Sequence, residues 1–429
     1  MNESKNKNQD KEGLAMESML SRKGKWLIIC LSVILLTAMG SFGATAAEKE
    51  ILIGVLEPMS GGSALTGANN SRGYKMAVDE INSAGGIKSM GGAKLKLMIQ
   101  DHQGKPNVGI AETERLVRKG ASVIMGGWHS SVILPSTQIA EQLKIPFVVV
   151  NSTMDKITER GFKYVFRTLP KASKTSQVRA EYVQWMNKHS KHKAKRVAVI
   201  AQDSVYGTST ASGDKKFAEQ AGLEVVAYII YPVAARDLSV EVRKLIASKP
   251  DVVMWTPYET DAIMMTRLFA EEKFAPHAII GYAFLQNPKY IKQLGKITEY
   301  VCTLTAWNPD VKLAGARELN EKYKKLYGDD MDGTITYTYS GIYVVKDVLE
   351  RAGSTDKEKI RKALTKTNLK PGKKGIVWPY GVKFGPDGQN KFATICIAQI
   401  LNGQKQTIWP RKYAPVKPVW PIPKWEGRK

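Results

Sequence analysis

Four short stretches combine hydroxyl side chains with small or flexible neighbours: Ser60-Gly61-Gly62-Ser63, His129-Ser130-Ser131, Asn151-Ser152-Thr153 and Asp203-Ser204-Val205-Tyr206-Gly207. Two chemistries use such residues. A hydrolase would draw on the histidine beside two serines in GGWHSSVILPS at 126–136, but it needs the serine on a tight strand-to-helix elbow, a histidine from elsewhere, and a carboxylate behind it. A binding site needs less. Hydroxyls and free backbone N–H groups at helix starts cradle an anion without any fixed positive charge.

Enzyme signatures are missing. GGSALTG at 61–67 departs from G-x-S-x-G at Leu65, no Gly-Lys is followed by Ser or Thr, and neither H-E-x-x-H nor C-x-x-C occurs. His189 and His192 are three apart in HSKHKAK and read as a solvated helix end rather than a metal pair. Asp101 reads as a strand-end cap or hinge contact, and His129 as a ligand contact or loop filler. Neither catalysis, a metal nor a cofactor is expected.

The elements that must position these loops alternate. ILIGVL (51–56) reads as a strand, and SRGYKMAVDEIN (71–82) as a helix with Tyr74, Ala77, Val78 and Ile81 on one face. Strands at 94–101, 121–125 and 145–150 follow, interleaved with helices at 106–119 and 133–143. The rhythm repeats from 175 to 281, with helices at 175–188, 209–221, 239–247 and 261–272 between strands at 196–201, 223–230, 252–255 and 278–281. Such alternation predicts an α/β fold of two doubly wound parallel sheets. Ligands of open α/β sheets bind beyond the carboxyl ends of strands, where the four loops fall. After Cys302 the pattern turns helical, at 313–327, 337–352 and 356–367. Asp387-Gly388 between 382–384 and 392–400 predicts a hairpin. Four prolines and two tryptophans in 413–429 predict an extended surface tail.

Ser21-Arg22-Lys23-Gly24-Lys25, the apolar run 26–42 and Ala44-Thr45-Ala46-Ala47 have the three parts of a cleavable export signal, so residues 1–47 are expected to be removed. The charge of +24 is spread along helix faces with acids interspersed, which reads as a solvated basic surface and not as a nucleic-acid site. Cys302 and Cys396 beyond the signal are too few for a disulfide scaffold and are either buried thiols or one bridge.

IGVLEPMSGGSALTG, RGYKMAVDEINSAGGI and GGWHSSVILPSTQIAEQLKIPFVVVNSTMDKITERGFKYVFRT together resemble the periplasmic solute-binding proteins of branched-chain amino acid ABC importers, from about Ile51 to Gly403. The resemblance implies the type I periplasmic binding protein architecture: two lobes joined by a three-stranded hinge, closing on a small ligand delivered to a membrane permease. It places crossovers near 167–168, 303–304 and 378–379, hence one lobe of 48–168 plus 304–378, another of 169–303 plus 379–405, and a tail of 406–429. It implies a periplasmic monomer.

Residue by residue, the resemblance assigns Ser130 and Asn151-Ser152-Thr153 to a ligand carboxylate on the first lobe. Tyr206 and Tyr258 match aromatic positions that the second lobe brings down. Two positions depart: Thr66 stands where the family's amino acid binders have a tyrosine, and Ala283 where they have the glutamate that receives the ligand ammonium. A buried ammonium without that carboxylate would cost several kcal/mol. With Trp128, His129, Tyr282 and Phe284 in the surrounding loops, the expected ligand is a carboxylate with an aromatic or other apolar body. The alternatives are a branched-chain amino acid or amide ligand, a sensor built on the same clam, and an exported hydrolase using Ser130 or Ser204.

Overall fold

The structure is a computed structural model that describes residues 49–428; the expected export signal lies outside the described residues. Among the described residues, no helix is long and apolar enough to cross a membrane.

The first sheet contains β1 (Glu50–Glu57), β2 (Lys94–Asp101), β3 (Val123–Gly127), β4 (Phe147–Asn151) and β5 (Val165–Arg167) in the order β2-β1-β3-β4-β5, all pairs parallel. Every residue of β3 and β4 is buried, as expected of strands covered on both faces. The connecting helices are α1 (Ala64–Ser83), α2 (Pro106–Arg118) and α3 (Ser130–Gln142). Tyr74, Ala77, Val78 and Ile81 all point into this core.

The second sheet is built from β6 (Arg196–Gln202), β7 (Glu224–Tyr231), β8 (Val252–Thr256), β9 (Ala278–Gly281) and β10 (Cys302–Thr305), crossed by α4 (Ala172–His189), α5 (Val205–Gln220), α6 (Ser239–Ala247) and α7 (Glu259–Glu271). After the short α8 (Pro288–Leu294), helices α9 (Ala316–Tyr327), α10 (Gly333–Ala352) and α11 (Lys357–Thr365) return to the first core. There α10 lies along α1, with the Thr338 hydroxyl donating to the Asn70 carbonyl at 2.9 Å. β11 (Asn368–Leu369) and β12 (Val382–Lys383) form a two-stranded ribbon. The chain then re-enters the second sheet as β13 (Cys396–Leu401) and β14 (Gln404–Trp409).

Three expectations change. The second sheet is not wholly parallel, because β13 and β14 add an antiparallel edge beside β10. The Asp387-Gly388 turn forms, with Gly388 N–H on the Gly385 carbonyl at 3.0 Å, but it closes only a minimal antiparallel pairing, the Phe384 to Asn390 bridge with Gly385 N–H on the Gln389 carbonyl and Lys391 N–H on the Lys383 carbonyl, both at 2.8 Å, and does not pair 382–384 with a strand over 392–400. The edge hairpin instead turns at Asn402-Gly403, where φ is 54° and 70°, the left-handed pair that Asn-Gly favours. The expected tail from 406 starts inside β14, and its remainder packs. Val419 N–H reaches Gln399 Oε1 at 2.8 Å, Ile422 N–H the His277 carbonyl at 3.1 Å, and the Trp425 indole the Phe274 carbonyl at 3.0 Å. Trp420 packs against the second core, its ring centroid 6.1 Å from that of Tyr182, which offsets the order imposed on a proline-rich segment.

The connections between the cores run side by side. Arg167 is fully buried and donates to Gln389 Oε1 at 2.7 Å, while Asn390 Nδ2 donates to the Thr168 carbonyl at 2.9 Å. Leu304 belongs to the second core and Ala306 to the first. The last passage falls between Ala393 and Ile395, later than the expected Trp378-Pro379, because Tyr380, Val382 and Phe384 pack in the first core. Cys302 and Cys396 are separate buried thiols on β10 and β13, out of register with Gln399 and Thr305 as their respective partners. Burial pushes both up to about 12.

Candidate functional site

The loops at the carboxyl ends of both sheets converge on a cavity of about 20 Å³ between the lobes. It is lined by Trp128, Asn151, Thr153, Leu169, Tyr206, Tyr258, Tyr282, Ala283, Gln286 and Thr334. Seven of the twelve residues singled out from the sequence, Trp128, Asn151, Thr153, Tyr206, Tyr258, Tyr282 and Ala283, are therefore in the wall. The space suffices for about one or two waters, so a bound organic ligand requires the lobes to part or Tyr258 to turn aside.

The first-lobe wall is fixed from the backbone. Gly127 ends β3 so close to β4 that an added Cβ would lie 2.5 Å from the Asn151 nitrogen, and the Trp128 N–H donates to the Asn151 carbonyl at 2.6 Å. Trp128 then takes φ 76°, a conformation costly for a residue with a side chain, and reaches the second-lobe cluster. Asn151 Nδ2 donates to the Thr334 carbonyl at 3.2 Å, tying β4 to the start of α10. Asp332 caps that helix by accepting from Thr334 and Ile335 N–H at 2.8 and 3.1 Å. Ser130 and Ser152 share a buried hydrogen bond of 2.9 Å at the start of α3, adjoining the wall without lining it.

The second-lobe wall is aromatic. Tyr206 sits in the first turn of α5, behind the plain cap Ser204, whose hydroxyl accepts from Gly207 N–H at 3.0 Å. Below it Arg179 and Asp214 form a fully buried pair at 2.5 Å, and Arg179 also donates to the Trp255 carbonyl at 3.1 Å. Tyr258 precedes α7 and is held by Asp261, whose carboxylate accepts its N–H at 3.1 Å. Its ring centroid lies 5.8 Å from Trp128, 5.1 Å from His129 and 5.1 Å from Tyr206, so one tyrosine touches both lobes. Ala283 again has positive φ, 54°.

Among the described residues, no lining residue is formally charged. Four buried polar atoms in this wall lack partners: Trp128 Nε1, Thr153 Oγ1, Tyr206 OH and Gln286 Oε1. The indole can only donate and the two hydroxyls can donate, leaving one obligatory acceptor. Each such orphan costs about 1–3 kcal/mol unless a ligand completes it.

The remaining expectations divide. His129 faces a neighbouring cavity, and its Nε2 lies 3.2 Å from Ser63 Oγ rather than from Ser130. Its Nδ1 has no partner, so the carboxylate a hydrolytic triad needs is not there. Burial, with His102 nearby, pushes it down to about 3, which keeps the ring neutral. Thr66 lies beside Glu259 instead of in the wall. Phe284 is core, 6.2 Å from Tyr290. Asp101 is a strand-end cap, accepting from Met59 N–H at 2.9 Å and Gln103 N–H at 2.8 Å. His189 stacks on Trp185 at 4.3 Å, and no cluster of metal-ligating side chains occurs among the described residues. Leu169, Gln286 and Thr334 were not foreseen; Asp332 before Gly-Thr-Ile was a readable cap signal for the last.

Two doubly wound lobes, three adjacent connections and a cavity walled from both sides define a two-lobed, cleft-binding protein. The Periplasmic binding protein family model matches residues 50–404. A relative, the Leu/Ile/Val-binding protein homolog 7 of Brucella suis biovar 1, is 31% identical over 395 residues, covering 89% of this chain and 96% of the relative. The chain belongs to the periplasmic binding protein family. Solved structures of similar fold include the branched-chain amino acid transporter substrate-binding protein LivJ of Streptococcus pneumoniae with isoleucine (TM-score 0.73, 20% identity, 83% of this chain and 98% of that one). Another is an ABC transporter solute-binding protein of Rhodopseudomonas palustris BisB5 with 3,4-dihydroxybenzoic acid (TM-score 0.70, 20% identity, 88% and 99%).

Proposed function

We propose that the protein captures a small carboxylate with an aromatic or other apolar body between its lobes and delivers it to the permease of an ABC importer. The observation that carries this reading is the cavity wall itself: three unpartnered groups able to donate, an aromatic second side, and Ala283 in place of a carboxylate. Trp128 Nε1, Thr153 Oγ1 and Tyr206 OH receive the carboxylate, with the nearby α3 and α10 starts adding favourable dipoles. Tyr258 and Tyr282 flank the apolar body. Closure follows because only the closed arrangement completes both sets of contacts. The fold is found with an aromatic acid in the Rhodopseudomonas palustris structure.

A second reading, an amino acid or amide ligand, is favoured by Gln286 Oε1, the one obligatory acceptor in the wall, and by the Leu/Ile/Val-binding relative. Thermal unfolding of refolded protein against aliphatic amino acids and aromatic carboxylates separates the two. A ligand at a hundredfold over its Kd adds about 2.7 kcal/mol and raises the midpoint by several degrees. A shift with the acids alone supports the first reading, and a shift with leucine or valine alone replaces it with the second.

A further inference from the structure

Beyond Tyr258 lies a second cavity, of about 170 Å³, and Tyr258 lines both. Its polarity is the reverse of the first. Gln202, at the end of β6 and only 3% exposed, donates through Nε2 to Asp261 Oδ2 at 3.3 Å, which turns its Oε1 toward the cavity with no partner. Glu259, the first residue of α7, presents a buried Oε2 that accepts no hydrogen bond, with the Lys289 charge and the Thr66 side chain near its carboxyl. Asp261 completes an acceptor-rich wall; Tyr231 OH and the Tyr258 N–H already use part of its carboxylate. No lysine or arginine lines this cavity. The opposite side is His129 and Ser63 of the first lobe, so both lobes contribute.

Resting on the carboxylate reading above, we propose that this cavity is a second recognition point, which takes a cationic or N–H-donating group at the far end of the same ligand. The ligand class is then an acid whose apolar body carries a remote amine, amidine or primary amide. Its acid end is held by the donors of the inner cavity and its other end by Glu259 and Gln202, with the body passing Tyr258. The α-ammonium of an amino acid does not meet this requirement, because it is adjacent to the carboxylate.

Burial holds the Glu259 carboxyl up at about 7, against the opposing influence of Lys289 and Thr66. Titrations therefore belong near pH 8, where it is ionised. The probes are 3-phenylpropanoate and its para-substituted analogues with an amine one to three methylenes from the ring, titrated calorimetrically into wild type, Glu259→Gln and Gln202→Leu. The expected result is that at least one amine-bearing acid binds about tenfold tighter than 3-phenylpropanoate. Glu259→Gln then removes that advantage while the parent acid keeps its affinity, and Gln202→Leu reduces the advantage in part. Equal or weaker binding of every amine-bearing acid, with the parent still bound, overturns the second recognition point alone. Failure of all these acids to bind overturns the carboxylate reading with it.

Discussion

The two walls of the cleft are made by different means. Apart from Trp128, the first-lobe wall consists of small groups on strand ends and helix starts, Asn151, Thr153 and the adjoining Ser130-Ser152 pair, fixed by backbone hydrogen bonds and by the Gly127 approach. The second-lobe wall consists of whole rings, Tyr206, Tyr258 and Tyr282, with Ala283 between them and the buried Arg179–Asp214 pair beneath. On the proposed carboxylate reading, a preorganised polar cradle on one lobe and an aromatic cover on the other would give direction to binding, with the acid group docking first and the rings closing afterwards. The lobes share an architecture, and their loops divide the chemistry.

The sharpest way to break this division is to put charge into the aromatic cover. Ala283→Glu is expected to weaken binding of an aromatic acid by about a hundredfold or more, through crowding and an unpaired buried carboxylate; calorimetry that finds unchanged affinity would displace Ala283 from the site. Rigidity of the first wall can be probed through Glu57, buried at the end of β1, where it accepts from Asn70 Nδ2 at 2.9 Å and Tyr74 OH at 3.0 Å. Burial outweighs those bonds and raises its carboxyl from 4.5 to about 7. The folded protein thus holds this proton more tightly than the unfolded chain, a stabilising contribution fully present below about pH 4.5 and lost as pH rises through about 7. It amounts to about 3 kcal/mol. Denaturant unfolding from pH 5 to 8 should show that decline in wild type and a shallower one in Glu57→Gln.

On the polar side, Thr153→Val keeps the shape and removes a hydroxyl. Acid binding should fall roughly tenfold to thirtyfold, the scale of a hydrogen bond to a charged group, with the unfolding midpoint nearly unchanged. Tyr206→Phe keeps the ring of the aromatic cover and removes only its hydroxyl. The expected loss is the smallest, about tenfold, the lower end for a hydrogen bond to a charged group; a loss larger than that of Thr153→Val would reverse the assignment of roles to the two walls.

The alternation of elements was legible because apolar periodicity marks helices and strands that face a core, and Tyr74, Ala77, Val78 and Ile81 are such a stripe. The helix starts were not. α1 begins at Ala64 rather than 71, α3 at Ser130 rather than 133, and α5 at Val205 rather than 209. These starts carry no apolar stripe because several of their residues face the cleft or a buried partner, as Tyr206 lines the cavity and Asn70 faces Glu57. The same residues that build the site thereby hid the boundaries. Tyr206 and Thr153 were readable from their loops and the family resemblance, whereas Gln286 and Thr334 come from distant segments that only the closed topology brings to the wall. The Pro/Trp segment was misjudged because proline disfavours regular elements but does not prevent the segment from docking, with Trp420 and Trp425 half-buried.

The most direct test compares 3-phenylpropanoate with phenylalanine, which differ only by the ammonium next to the carboxylate, by calorimetric titration of refolded protein. Tighter binding of 3-phenylpropanoate by about tenfold or more is the predicted result, since Ala283 leaves that ammonium without a charged partner. Tighter binding of phenylalanine would contradict it and make this an amino acid binder whose ammonium is received elsewhere in the wall.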